Sequence, residues 1–216
     1  MTYTRHSPSP RYRYLAEQYR TMHAEGDTNA GIPTEEMFPG YSLMNWVVRI
    51  RELIAQTGAQ NLLDYGSGKG QQYDMLDAQR RQTLGGAESV LDYWGVDEVR
   101  CYDPNYAPYS KLPEGRFDGV ICTDVLEHCP EEDIGWILGE IFGYASRFVF
   151  AVVASYPAAK LLPDGSNAHC TIQSAEWWQA QLDAAGQAHP VERYEVALLT
   201  REGGKMKVRT LTGSPA

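Results

Sequence analysis

The chain has 216 residues, 43% of them hydrophobic and 22% charged, with a formal net charge of −9. That length fits one domain with additions and buries a substantial core, and the negative charge argues against wide contact with a nucleic-acid backbone, which depends on Lys and Arg neutralising phosphates. Membrane crossing is excluded because no apolar run reaches the roughly 18 residues a spanning helix needs.

Residues 1–10 are polar and lack the apolar stretch of a secretion signal. The four cysteines, Cys101, Cys122, Cys129 and Cys170, show no Cys-x-x-Cys spacing, which predicts reduced thiols and a cytoplasmic protein. Residues 1–20 mix Arg5, Arg11, Arg13 and Arg20 with Tyr3, Tyr12, Tyr14 and Tyr19. Such a mixture suits either a partly ordered arm or a short nucleic-acid contact.

Residues 26–40 are rich in Gly, Pro, Asn and Thr and read as a loop between two helical stretches. Ser42 is placed to cap the next helix, in which Leu43, Trp46, Val47, Ile50, Leu53 and Ile54 recur at helical spacing, and Gly58 ends it. From residue 59 the pattern alternates: strand 60–65, helix 69–82, strand 98–102, strand 117–123, helix 131–145, strand 147–154 and helix 174–185. Alternation of this kind predicts a parallel sheet with helices on both faces. Residues 191–200 and 205–211 then alternate as two strands around Glu202-Gly203-Gly204, a hairpin whose Arg201, Lys205, Lys207 and Arg209 read as a solvated basic face. The predicted organisation is an N-terminal arm and helical cover over 1–58 and a ligand-binding core over 59–216.

The densest signal is Leu62-Leu63-Asp64-Tyr65-Gly66-Ser67-Gly68-Lys69-Gly70. An apolar strand ends in an acid, and three glycines at alternate positions then allow positive φ and close approach of a ligand. If a helix follows, its free N–H groups point at that ligand. The spacing is neither the Gly-x-Gly-x-x-Gly of dinucleotide sites nor a phosphate loop, because Lys69 is followed by Gly70 and Gln71.

Together with Val99–Asp103 and the Asp124-Val125-Leu126-Glu127-His128 element that ends the 117–123 strand, this stretch resembles the motifs of class I S-adenosylmethionine-dependent methyltransferases. The resemblance implies a Rossmann-like, doubly wound, mostly parallel sheet closed by a C-terminal antiparallel hairpin, whose last strand is inserted. It implies S-adenosyl-L-methionine as cofactor, with Asp64, Tyr65, Gly66, Ser67, Gly68 and Gly70 at its aminocarboxypropyl end. Asp103 would accept from the ribose hydroxyls, and Thr123 and Asp124 would lie near the methionyl ammonium. Two spacings depart from the pattern. Asp64 to Asp103 spans 39 positions and Asp103 to Phe117 only 14, which predicts an expanded first helix region and a reduced adenine-side edge of the sheet.

Methyl transfer from a sulfonium needs alignment of both partners, and a base only where the acceptor must lose a proton. His128 and His169 are the candidates for that base, with His128 equally readable as a structural residue of its loop. Tyr156, Lys160, Asp164, Asn167 and His169 are the polar candidates of a long acceptor-side loop. Asp124, Glu127, His128 and His169 also resemble the carboxylate–imidazole set with which small-RNA 2′-O-methyltransferases hold Mg²⁺, but the reading adopted is metal-free. The expected acceptor is a small or sugar-bearing molecule methylated on oxygen or nitrogen. RNA-end methylation through the arm, a non-catalytic cofactor-binding module, and a nicotinamide oxidoreductase on a similar sheet are the alternatives.

Overall fold

The computed structural model describes residues 2–27 and 30–213; residues 1, 28, 29 and 214–216 of the two predicted units lie outside that description. Strand β1 (Asn61–Tyr65) lies between β2 (Glu98–Tyr102) and β3 (Phe117–Thr123), followed outward by β4 (Ala145–Ala154), β5 (Arg193–Glu202) and β6 (Lys205–Gly213). The first five strands are parallel and β6 alone is antiparallel, pairing Glu202 with Lys205 and Tyr194 with Gly213. This is the predicted Rossmann-like sheet with a C-terminal hairpin. One expectation is corrected: β6 is the edge strand and is not inserted, because β5 pairs directly and in parallel with β4. The other edge is β2, and among the described residues no strand lies beyond it, as the short interval between Asp103 and Phe117 predicts.

Strand side chains alternate between two cores. Leu63, Val120, Cys122, Val149, Ala151, Val196 and Leu198 face helices α5 (Glu131–Tyr144) and α6 (Ala175–Ala188). Leu62, Ile121, Phe148, Phe150, Val152 and Ala197 face α2 (Val47–Thr57) and α4 (Val90–Trp94). In α5 the apolar residues Ile134, Ile137, Leu138, Ile141 and Phe142 are all buried, each stabilising the fold by about 1.5–3 kcal/mol. Trp178 of α6 is wholly buried in that same layer.

Two local expectations fail for identifiable reasons. The predicted helix over 69–82 is replaced by a 3₁₀ turn at Gln71–Tyr73 and a short α3 (Ala78–Thr83). Gln72 and Tyr73 turn inward to donate to Asp64, so satisfaction of a buried carboxylate wins over local helix propensity. Ser42 does not cap α2: it lies within a 3₁₀ turn, Tyr41–Asn45, and α2 starts after Trp46. Gly58 does end α2, in the left-handed conformation, as predicted.

Helix α1 (Pro10–Glu25) covers the carboxyl ends of the strands. Ser9 caps it by accepting from the Tyr12 N–H, and Leu15 and Met22 pack against Met37, Leu162 and Ala168. Ahead of it, Arg5 forms a two-pronged ion pair with Glu140 of α5 and donates to the Tyr65 hydroxyl at 3.0 Å. The Ser9 N–H donates to Asp133 at 3.0 Å. The cover is therefore tied to the core by charge as well as by packing.

Candidate functional site

A cavity of about 630 Å³ lies under α1, at the carboxyl ends of β1, β2, β3 and β4. Open parallel sheets bind ligands at this end, and the volume is that of a small-molecule or cofactor site. Its wall includes Asp64, Tyr65, Gly66, Ser67, Gly68, Asp103, Thr123, Asp124, His128 and His169. Of the predicted cofactor and catalytic residues only Gly70 is outside that wall; the further candidates Glu127, Asp164 and Asn167 are outside it too. At φ +71°, Gly70 packs toward Tyr109 and Cys101, and its role is to turn the chain.

The glycine turn departs from the expectation of free N–H groups. Gly66 and Ser67 both donate to the Tyr102 carbonyl, at 2.7 and 3.1 Å, and Gly70 donates to Ser67 at 3.2 Å. Gly68 donates to Asp103 Oδ2 at 3.0 Å, and Lys69 donates to the Phe38 carbonyl at 2.9 Å. All five amides are consumed inside the protein, so the turn is not an anion cradle. Glycine is nevertheless required: at Gly66 a Cβ would stand 2.3 Å from Val125 Cγ2, and at Gly68 it would stand 2.3 Å from the Phe38 carbonyl oxygen.

What the wall offers instead is acceptors. Asp64 is buried; its Oδ2 accepts from Gln72 at 2.9 Å and from the Tyr73 hydroxyl at 2.8 Å, while Oδ1 has no partner among the described residues. The Gln72 side-chain carbonyl oxygen is likewise buried and unpartnered. Burial pushes the Asp64 carboxyl up to about 6 against the two hydrogen bonds that lower it. Asp103 is also pushed up to about 6 by burial, although the Asn105 and Gly68 amides hold its two oxygens. A ligand cation facing Asp64 would relieve both its missing hydrogen bond and its desolvated charge.

Asp124 ends β3 with φ +55°, a left-handed conformation that costs a non-glycine residue about 1–2 kcal/mol. Its N–H donates to the Val152 carbonyl at 3.1 Å, which fixes this backbone at the end of β4. Burial raises its pKa. Strain of this kind concentrates at functional sites.

On the other side of the cavity, the backbone carbonyl of Glu127 accepts from Cys170 at 2.8 Å and Thr171 at 3.0 Å, which draws the long loop after β4 onto the 3₁₀ turn Leu126–His128. The result is a histidine pair with ring centres 4.8 Å apart. His128 Nδ1 lies 2.9 Å from the Ala168 carbonyl and 2.8 Å from the Tyr19 hydroxyl; His169 Nδ1 lies 2.6 Å from the Tyr156 carbonyl. A carbonyl only accepts, so both Nδ1 atoms carry hydrogen, which in the neutral ring leaves the lone pair at Nε2. Burial and the neighbouring His169 lower His128 to about 4, which keeps it neutral. Glu127 below them is wholly buried; Oε1 accepts from Ala154 at 2.9 Å and Oε2 has no partner among the described residues. Burial, then the Asp124 charge, raise Glu127 to about 8. One ligand atom each from Glu127, His128 and His169 lies within 4.8 Å of the others.

Several wall residues escape a reading of motifs. His23 of α1 is buried, stacks on Tyr106 with ring centres 5.1 Å apart, and lies 4.0 Å from Asp103, while burial lowers it to about 4. Phe38 and Gln72 join from segments without a signature. Arg201 is exposed, as expected of the hairpin's basic face, and also lines the cavity, with its guanidinium 4.7 Å over the Tyr156 ring. Tyr19, counted among the arm tyrosines, is the one of these with a sequence signal.

Neither a protein-family profile nor a curated protein sequence matches the chain. Among solved structures it is similar to an O-methyltransferase family protein from Burkholderia thailandensis, at 12% identity and a TM-score of 0.48, over 95% of this chain and 68% of that one. It is also similar to DhpI in its complex with SAH, at 13% identity and a TM-score of 0.32, over 94% of this chain and 80% of that one. At such values neither likeness says what this chain binds. The site geometry has to carry the functional reading.

Proposed function

We propose that the chain is an S-adenosylmethionine-dependent methyltransferase acting on an oxygen or nitrogen of a small molecule. The observation that carries this reading is the pairing of a glycine turn without free N–H groups with the unpartnered Oδ1 of Asp64. A pyrophosphate needs N–H donors at such a turn. A ligand bearing an ammonium and a sulfonium needs carboxylates and carbonyls, and those are what the turn presents. The same observation disfavours a nicotinamide dinucleotide.

In this reading Asp64 and Gln72 receive the cofactor's ammonium, Gly66 and Gly68 let its chain pass close to the backbone, and Asp103 meets the ribose. Thr123 and Asp124 face the methionyl end. S-adenosylmethionine supplies the activated methyl group. His128 and His169 stand across the cavity with lone pairs at Nε2, where they accept the proton that an acceptor hydroxyl or protonated nitrogen must lose. The buried, protonated Glu127 adds a hydrogen-bond donor beside them. The cover α1 and Phe38 exclude water from the transfer.

The clustering of Glu127, His128 and His169 supports a second reading in which a divalent ion at these three atoms acidifies the acceptor hydroxyl. Replacement of Asp64 tests the first reading. Asp64→Asn should weaken S-adenosylhomocysteine by about 10–100-fold through the lost charge-assisted hydrogen bond, with the fold retained by circular dichroism; unchanged affinity sinks it. A chelator that abolishes methyl transfer, with recovery on Mg²⁺ or Mn²⁺, would select the second.

A further inference from the structure

Lys160 and Arg201 are the lysine and arginine of the cavity wall. Arg201 reaches it from the end of β5 and Lys160 from the loop after β4. Each lies over an aromatic ring: Arg201 4.7 Å over Tyr156, and Lys160 5.0 Å over Phe38. Among the described residues the Arg201 guanidinium has neither an ion pair nor a hydrogen-bond acceptor. Its N–H groups are therefore open to a ligand, and the guanidinium's fork of donors matches the paired oxygens of a carboxylate or phosphate. The field of Asp27 reaches Lys160, and burial opposes its charge.

Both cations connect to the histidine pair by ring contacts. The Tyr156 ring lies 5.9 Å from His169, and Phe38 lies 5.8 Å from Tyr19, whose hydroxyl meets His128. Arg201 and the histidine pair thus share one acceptor half of the cavity, and Lys160, over Phe38, stands between it and the glycine-turn half, where Phe38 meets the glycine turn and His23 beside Asp103. In a chain of net charge −9, two cations placed here oppose the prevailing field and give a local preference for anions.

We propose that the methyl acceptor is an anionic small molecule whose oxyanion is bound by Arg201 and Lys160 while its hydroxyl or amine lies at His128 and His169. The inference rests on the methyltransferase reading and gives its acceptor a chemical class, a phosphate monoester or a carboxylic acid. It also assigns Lys160 and Arg201 as the residues that select it.

The full chain is titrated with inorganic phosphate and, separately, with acetate by calorimetry at constant ionic strength in chloride, then again as R201Q and as K160Q/R201Q. Saturable binding of phosphate or acetate is expected in the native chain, weakened about tenfold or more in R201Q by loss of charge-assisted hydrogen bonds and abolished in the double variant. The tighter of the two anions assigns the phosphate or the carboxylate class. No saturable binding to the native chain overturns the proposal, and so does equal binding by the double variant. S-adenosylhomocysteine is titrated into all three proteins. Its retained affinity in the variants shows that they fold and confines the loss to the anion site. Its failure to bind the native chain removes the methyltransferase reading separately, whatever phosphate does.

Discussion

Gly68 and Asp103 are joined by one hydrogen bond, the glycine N–H donating to Asp103 Oδ2 across 3.0 Å. It ties the acid after β2 to the glycine turn after β1, and the same carboxylate takes the Asn105 N–H at 2.9 Å. Asp103→Ala strands two amides, so stability should fall by about 1–3 kcal/mol, read as a lower urea midpoint. S-adenosylhomocysteine affinity should fall with it. Asp103→Asn keeps a carbonyl acceptor and should recover part of both losses.

The acidity of Asp64 predicts how cofactor affinity follows pH. Burial holds its carboxyl at about 6 in the ligand-free protein. A bound ammonium favours the carboxylate and lowers that value. Affinity for S-adenosylhomocysteine should therefore be level above pH 6 and fall below it, by up to about tenfold per pH unit. Calorimetry between pH 5 and 8 checks this; affinity that is level throughout would show that Asp64 does not meet the ammonium.

Stability has its own pH signature. Glu127 has a folded pKa of about 8, above its unfolded value, so its contribution is present at low pH and is lost as pH rises toward 8. His23 and His128, lowered to about 4, act in the opposite sense, but only below about pH 6.5. Between pH 6.5 and 8 Glu127 dominates these terms and should reduce stability by about 1–2 kcal/mol. Glu127→Gln should flatten that slope in urea unfolding.

The order and type of most strands were legible because their signals are local. β2 and β3 begin and end where their apolar runs and terminal acids predict, and α5 follows its 3.6-residue apolar face. What local patterns do not carry is a side chain recruited across the fold. Gln72 and Tyr73 abandon a helix to satisfy Asp64, more than one turn away in sequence. His23 and Arg201 reach the cavity from the two ends of the chain, and neither neighbourhood contains a motif. The glycine turn was visible, yet whether its amides were free depended on Tyr102, Asp103 and Phe38, which only the fold brings there.

The N-terminal strap offers a separate test. Arg5 and Glu140 form a largely buried ion pair that also engages the Tyr65 hydroxyl. Arg5→Ala leaves Glu140 and Tyr65 without that partner and should cost about 1–3 kcal/mol. Limited proteolysis should then cut within residues 1–13 faster than in the native chain.

For the histidine pair, His128→Ala and His169→Ala should each slow the chemical step, the more important of the two by about 10²–10⁴-fold. S-adenosylhomocysteine affinity should stay near its native value, because both residues lie in the acceptor half. Full activity in the double variant would remove both from the mechanism.

The most direct measurement is calorimetry of the native chain with S-adenosylhomocysteine and, in parallel, with NAD. A turn whose five amides are consumed internally, facing an Asp64 oxygen without a partner, predicts saturable one-to-one binding of S-adenosylhomocysteine and none of NAD. Binding of NAD alone would contradict the account.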